Sequence, residues 1–416
     1  MPRTVLTVLP DLPVPPTTGL QLRLLVLLHV IRALGARSSA VYFDNDEPRG
    51  SPGELAELCE TVTCAGRTRP YATFSVRERV LQRLAFTVDA ARARLGTRYP
   101  FSLPYDAIGA GARIADEAAR VGADVVVLPT FLGHYAPRLR ADGLAVIGEA
   151  TDVLRIQARN LMRQHGRRHP ERIPGLLANY LATRSLERLA LPLCAEIWAN
   201  SERQAAELTR IAPGTDVIVV GNVLDETEIA ASPLGPEPVV GFIGSYRYTP
   251  NLDAARHLVE QVGPALRARV PAARVALAGA GLPDEVERRW KAGAGIDVRG
   301  CVADSGEFMR SCRVLAFPLF FESGPPLKVV EALARARPTV VSPQIGAALG
   351  LTDGHDTLIA PTARAGADAI ARLMRDDILA EQLARHGRET FERRFSLRAA
   401  VAEARRHSML SAERGH

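Results

Sequence analysis

The stretch RVLAFPLFFESGPPLKVVEAL, residues 313–333, decides how the rest of the chain is read. After Arg313 its opening run RVLAFP (313–318) is apolar throughout, the pattern of a strand covered on both faces of a parallel sheet. Ser323 and Gly324 then offer a flexible turn, and Pro326 stands at about the first position of a helix, where its missing N–H does no harm. Strand, glycine turn and helix make the repeating unit of α/β folds, whose ligands bind beyond the carboxyl ends of the strands. A helix N-terminus preceded by glycine suits an anion. Lys328 falls in the first turn, where the helix dipole disfavours a cation, a conflict that a bound diphosphate removes. Lys328 and Glu331 share a helical face, so the lysine can meet phosphate while the glutamate accepts hydrogen bonds from ribose hydroxyls. The plain alternative is a Lys–Glu surface pair.

The same alternation of short β-rich runs and longer amphipathic segments extends in both directions. Upstream lie TVLTVLP (4–10), SAVYFD (39–44), ADVVVLP (123–129), LAVIGE (144–149), AEIWAN (195–200) and VIVVG (217–221). A second series holds VVGFIG (239–244), ARVALAG (273–279), IDVRG (296–300), RVLAFP and PTVVS (338–342). Alternation of this kind implies βαβ units and mainly parallel sheets. The fold class expected is therefore α/β, with a first Rossmann-like domain over residues 1–225, a Pro- and Gly-marked linker over 226–237 and a second Rossmann-like domain over 238–395. The final segment, 396–416, reads as a helix that returns to the first domain.

Length and composition agree with two cores. A chain of 416 residues is too long for one, and 47% hydrophobic with 24% charged residues is typical of a soluble globular protein. The N-terminus lacks the basic, apolar and small-residue regions of a signal peptide, so the expected setting is cytoplasmic. The most apolar segment, Leu22 to Leu34, is broken by Arg23, His29 and Arg32 and reads as a buried helix. Five scattered cysteines show no zinc spacing and are expected as reduced thiols. The net charge of +6 is spread along the chain and does not argue for nucleic acid. Of 52 basic residues only Lys291 and Lys328 are lysine, so position 328 stands out as one where a compact ammonium is kept.

Three further turns hold candidates. In DLPVPPTTG (11–19), Thr17 or Thr18 is a helix cap and Gly19 permits close backbone approach. In GSYRYTPN (244–251), Gly244 leaves a strand, Arg247 is placed to hold a phosphate and Asn251 is a plausible cap. In GEATDVLRIQARNLMR (148–163), Glu149 and Asp152 follow a strand and serve either chemistry or the capping of the next helix. Arg155, Arg159 and Arg163 then recur every four residues, with Arg167 and Arg168 just beyond. They form either a solvated basic face or one that attracts an anionic acceptor or a membrane surface.

From Val240 to about Leu397 the chain resembles the donor-binding domain of retaining glycosyltransferases of family 4, which have the GT-B fold. Four elements carry the likeness in order: GFIGSYRYTPNLDAARHL (241–258), PAARVALAGAG (271–281), RGCVAD (299–304) and the block from Pro318 to Leu351. The nearest branch is that of exosortase-associated sugar transferases. A looser likeness covers the first domain, through the Pro13-to-Arg23 pattern and Asn222 after VIVVG. The resemblance implies that Glu331 binds the nucleotide ribose, that Lys328 lies near the diphosphate, and that Asp152 lines the acceptor side. It also marks a departure: the family's sugar-contacting glutamate falls at Ser323, with Glu322 one residue off.

What the resemblance implies is a metal-independent, retaining transfer of a sugar from a nucleotide diphosphate donor to an acceptor hydroxyl, in a cleft between two Rossmann-like domains. Asp152 and Lys328 are the expected catalytic residues. Gly19, Gly244, Arg247, Ser323, Gly324, Pro325, Lys328 and Glu331 are expected on the donor, and Glu149, Asp152 and Arg155 on the acceptor side. No cofactor and no nucleic acid are expected; the acceptor is a cell-surface glycan, a lipid-linked sugar or a natural product, and contact with the inner face of the membrane is open. The rival readings are a noncatalytic nucleotide-sugar-binding protein and a nucleotide-sugar epimerase of the same fold.

Overall fold

The computed structural model describes residues 2–14, 19–45, 50–68, 75, 103–166, 173–320 and 325–411, with the side chains of 19, 103 and 163–166 outside that description. The chain forms two units, Met1–Gly221 with Ala400–His416, and Asn222–Ala399.

The first unit is built on a sheet of β1 (Thr4–Leu9), β2 (Arg37–Asp44), β3 (Thr61–Arg67), β4 (Val125–Pro129), β5 (Ala145–Ala150), β6 (Glu196–Ala199) and β7 (Asp216–Val219). Their order is β3-β2-β1-β4-β5-β6-β7, and every neighbouring pair is parallel. Apolar runs produce this outcome because a parallel sheet carries helices on both faces, so β1 and β4 are buried along their whole length. The helix Gly19–Ala33 takes up the expected apolar segment, and Arg23, on its first turns, is buried with it.

Glu196 of β6 ties the end of the chain to this sheet. Its carboxylate is fully buried and accepts the Ser408 hydroxyl at 2.8 Å, the Met409 amide at 2.7 Å and the Trp198 indole N–H. The preceding helix, Leu397–His407, sends Arg405 to the carbonyl of Ala33 at 3.0 Å.

The second unit holds β8 (Val239–Ile243), β9 (Arg274–Ala278), β10 (Ile296–Gly300), β11 (Val314–Phe317), β12 (Thr339–Val341) and β13 (Leu358–Ile359). The order β10-β9-β8-β11-β12-β13 is again wholly parallel. From β8 the sheet grows one way through β9 and β10, and the chain then crosses over to β11 and grows the other way. The crevice at such a reversal, between the turns that follow β8 and β11, is where open α/β sheets bind ligands. Within this unit Leu224 bridges Ser396 in parallel, with Leu224 N–H to the Phe395 carbonyl at 3.0 Å and Leu397 N–H to the Leu224 carbonyl at 2.9 Å.

The expected α/β class with mainly parallel sheets is observed. No described helix is long and apolar enough to cross a membrane.

Substituting Glu196 by alanine strands the Trp198 and Ser408 donors in a dry interior. The expected loss is about 1–3 kcal/mol for an unsatisfied buried group. Chemical denaturation of wild type and E196A checks this, and equal midpoints would show that the C-terminal tie contributes nothing.

Candidate functional site

The turn leaving β8 and the helix leaving β11 converge on Lys328. The helix Leu327–Ala334 starts from Pro326, one residue later than the sequence pattern suggests, and no side chain among the described residues caps it. Lys328 points from its first turn toward the β8 turn, where its ammonium donates to Asn251 Oδ1 at 2.5 Å and lies 4.8 Å from the centroid of the Phe242 ring. The residue as a whole is half-buried, but its ammonium end is enclosed. Burial lowers its pKa to about 7, because water no longer solvates the charge. Among the described residues no carboxylate pairs with it.

Asn251 is therefore not a cap. The helix Thr249–Arg256 begins after Tyr248, whose side chain makes no capping bond, and Asn251 sits inside it. Its Nδ2 donates to the Ser245 carbonyl at 2.8 Å while its Oδ1 faces Lys328, so one buried amide joins the β8 turn to the β11 helix. Gly244 fits between them: a Cβ there would lie 2.7 Å from Lys328 Nζ and 2.9 Å from Asn251 Nδ2. Behind it Gly279, with φ at 130°, passes so close that a Cβ would stand 2.0 Å from the Gly244 carbonyl oxygen. Arg247 is exposed on the same turn and forms no ion pair among the described residues.

Glu331 shares the helix with Lys328 but turns to other partners, so the two do not form the surface pair. Its Oε1 accepts the Ser305 hydroxyl at 2.8 Å and Arg335 at 2.9 and 3.1 Å, and Oε2 has no hydrogen bond among the described residues. Pro325 is buried, and its carbonyl accepts Asn222 Nδ2 at 2.9 Å. Ser323 and Gly324, with Glu322, lie outside the described residues.

In the first unit Glu149 belongs to β5 itself and caps nothing. It is buried in an ion pair with Arg23, Nε to Oε1 at 2.6 Å, and Thr151 donates to its other oxygen at 2.8 Å. Arg23 also donates to the carbonyls of Val220 at 2.7 Å and Gly221 at 3.3 Å, which ties the helix of β1 to the end of β7. Asp152 follows in the loop. Gln204 donates to its Oδ1 at 3.3 Å, and Asn200 holds the adjacent Thr151 carbonyl at 2.5 Å. Burial, helped by the nearby charge of Glu149, raises the Asp152 pKa to about 6. Arg155 binds Glu207 at 3.2 Å and lies 3.8 Å from Glu187. Gly19 opens the helix after β1, while Thr17, Thr18, Arg167 and Arg168 lie outside the described residues, as does the side chain of Arg163.

Of the residues singled out by pattern, the structure brings Lys328 and Gly244 together and leaves Arg247 exposed on the same turn; what surrounds them was not read from the sequence. Asn251 carried a helix-start signal and a different role. Ser305 and Gly279 carried none, since only the folded sheet brings residues this distant in sequence to the same turn. Among the described residues no three of His, Cys, Asp and Glu gather into a metal-binding group.

Residues 237–376, which contain all six strands of the second sheet, match the family model described as Glycosyl transferases group 1. No curated protein matches the sequence. Among solved structures, Alr3699/HepE of Anabaena in complex with UDP is similar over 97% of this chain and 98% of its own, with a TM-score of 0.61 at 15% identity. Sucrose-phosphate synthase of Thermosynechococcus elongatus covers the same shares with a TM-score of 0.65 at 16% identity. An E. coli structure described as trehalose-6-phosphate bound with UDP-2-fluoro glucose is similar over 96% of this chain and 97% of its own, with a TM-score of 0.60 at 14% identity. At these identities the likeness establishes the fold, which is GT-B.

The two glycines at the site should respond differently to alanine. In G244A the clash falls on the mobile ends of Lys328 and Asn251, which can move, whereas in G279A it falls on backbone at a φ that alanine rarely adopts. Overpacking costs about 1–3 kcal/mol, and G279A should sit at or beyond the top of that range with G244A at the bottom. Urea denaturation ranks them; the reverse order would mean that the close approach of the two turns is not tight.

Proposed function

We propose that this protein is a glycosyltransferase that binds a nucleotide diphosphate sugar on its second unit and transfers the sugar, with retention of anomeric configuration, to an acceptor hydroxyl. The observation that carries this reading is the enclosed ammonium of Lys328 at the β8/β11 crevice, which has no acidic partner among the described residues. A diphosphate supplies the missing negative charge, and in doing so restores the full charge of the lysine. The group 1 domain match and the sequence resemblance to family 4, nearest its exosortase-associated branch, support the same chemistry and suggest retention.

Within this proposal each group has a physical task. Lys328, Arg247 and the uncapped amides at the start of the helix Leu327–Ala334 stabilise the departing diphosphate, on whose oxygens charge builds as the glycosidic bond breaks. Two cationic side chains do this without a metal ion. Glu331 offers Oε2 to the ribose hydroxyls while Ser305 and Arg335 hold Oε1 and fix the carboxylate plane. Gly244 and Gly279 make room for the close packing that sets Lys328 and Asn251 against the turn. Asp152, on the first unit, accepts a hydrogen bond from the acceptor hydroxyl in its charged form. A cytoplasmic setting belongs to the proposal, as does an acceptor drawn from glycans, lipid-linked sugars or natural products.

K328A and E331A should each weaken UDP binding by about 1.5–3 kcal/mol, the value of a charge-assisted hydrogen bond, while circular dichroism shows both still folded. Calorimetric titration with UDP and donor turnover with a panel of nucleotide sugars read the effect. Full affinity and turnover in K328A would remove the observation on which the proposal stands.

Asp152 gives a pH dependence with a definite sign. Its pKa of about 6 means that the carboxylate is lost as pH falls through that value, so transfer should decline below pH 6 and hold above it. D152N should lower transfer at every pH, erase this acid limb and leave UDP affinity unchanged. An unaltered acid limb in D152N would assign it to another group.

A further inference from the structure

A cavity of about 340 Å³ opens inside the first unit, lined by Arg155, Ile156, Arg159, Tyr180, Arg184 and Glu207. It lies among three helices, Leu154–Gly166, Ile173–Ala190 and Glu202–Ile211. Its walls carry three guanidinium groups and one carboxylate. That carboxylate is already shared, because Glu207 accepts Arg155 at 3.2 Å and Arg210 at 2.5 Å. Arg159 and Arg184 have no acidic partner among the described residues; Arg184 is exposed at the mouth, whereas Arg159 is half-buried and its Nε is buried without a hydrogen bond among the described residues. Behind Arg155 the nearly inaccessible Glu187 has a pKa raised to about 7 by burial, so near neutral pH it compensates only part of a charge.

A buried, unsatisfied guanidinium donor is costly, and the unpaired Arg159 beside the exposed Arg184 leaves this open polar cavity with an excess of about two positive charges, which suits an anion. The excess is matched by a dianion and left half unbalanced by a single carboxylate. A phosphate monoester, with its second pKa near 6, is doubly charged at neutral pH and offers three acceptor oxygens to the forked donors of arginine. Tyr180 adds a hydroxyl donor, and Ile156 a small apolar wall for the body of the ligand. The volume is at the lower end of the range for small-molecule sites, about 300–1,000 Å³.

We propose that this cavity is a binding site for a phosphate monoester, held by Arg159 and Arg184 with Arg155 and Tyr180. It does not depend on the glycosyltransferase reading, since all six residues belong to the first unit. The monoester can arrive on a soluble metabolite or on a lipid headgroup. The row beside Tyr180 and Arg184 on the same helix, Ile173, Leu177 and Leu181, is exposed and apolar, which makes the lipid source worth a separate arm.

The test uses the full chain and the double variant R159Q/R184Q. Glycerol 3-phosphate, with inorganic phosphate and glycerol as references, is titrated calorimetrically, and vesicles of phosphatidylcholine with and without phosphatidic acid are tested by flotation. We expect glycerol 3-phosphate or the phosphatidic acid vesicles to bind wild type, glycerol and plain phosphatidylcholine not to bind, and the double variant to lose about tenfold in affinity for each guanidinium removed. Binding of the soluble ester assigns a metabolite, and binding of the phosphatidic acid vesicles alone assigns a headgroup. Binding in neither arm, or binding that R159Q/R184Q leaves intact, overturns the proposal. Unchanged UDP affinity and melting temperature in the variant show that any loss comes from this cavity and not from misfolding or from the second unit. The single variants R159Q and R184Q repeat the comparison should the double variant fail to fold.

Discussion

One lysine organises the second unit's site: an ammonium taken out of water, stacked over Phe242, held by the neutral amide of Asn251 and left without a counter-charge among the described residues. A protein interior disfavours this arrangement strongly enough to bring the pKa down to about 7. The surrounding features make sense around that constraint. Gly244 is small because the ammonium and amide occupy the space a side chain would need. Gly279 is small because Gly244 must press against it. Arg335 and Ser305 hold the Glu331 carboxylate to partners other than Lys328, so that it does not neutralise the lysine and the positive charge stays available to a ligand.

The sheet supplies the place where such a group can exist. Parallel strands end together, and the reversal of strand order between β8 and β11 leaves a crevice that neither flanking helix fills. The first unit uses the same architecture for a different balance of charge. At the end of β5 the carboxylate of Glu149 is neutralised by Arg23, and Asp152 next to it is pushed toward its neutral form. There the arginines outnumber the acids around a neighbouring cavity.

Long apolar runs were legible in the sequence because a strand buried on both faces has few polar positions to obscure it; β4 and β8 are such runs, and β1 departs only at Thr4 and Thr7. The strand β3, TVTCAGR, was not legible, because it lies mostly at the half-buried edge of the sheet and holds no apolar run. The two-residue β13 is too short to leave a pattern. At the site, Lys328 stood out in a chain that otherwise uses arginine, and its position in the first helical turn already conflicted with the helix dipole. Asn251 misled, since an asparagine near a helix start usually caps it, and here the buried side chain answers to a partner 77 residues away. Glu149 misled similarly: one register further along, β5 swallows it and Arg23 closes the pair. Tertiary partners of this kind are set by packing and leave no local trace.

Because the chain has only two lysines, the central claim can be read directly. Reductive ¹³C-methylation of the protein gives two lysine signals, and K328A assigns them. A titration with and without UDP then measures the charge on Lys328 itself. The account predicts a Lys328 signal that titrates near pH 7 in the free protein and moves upward by at least one pH unit when UDP is bound, as a diphosphate stabilises the ammonium. A signal titrating near 10 in the free protein, or one that UDP does not move, would contradict it.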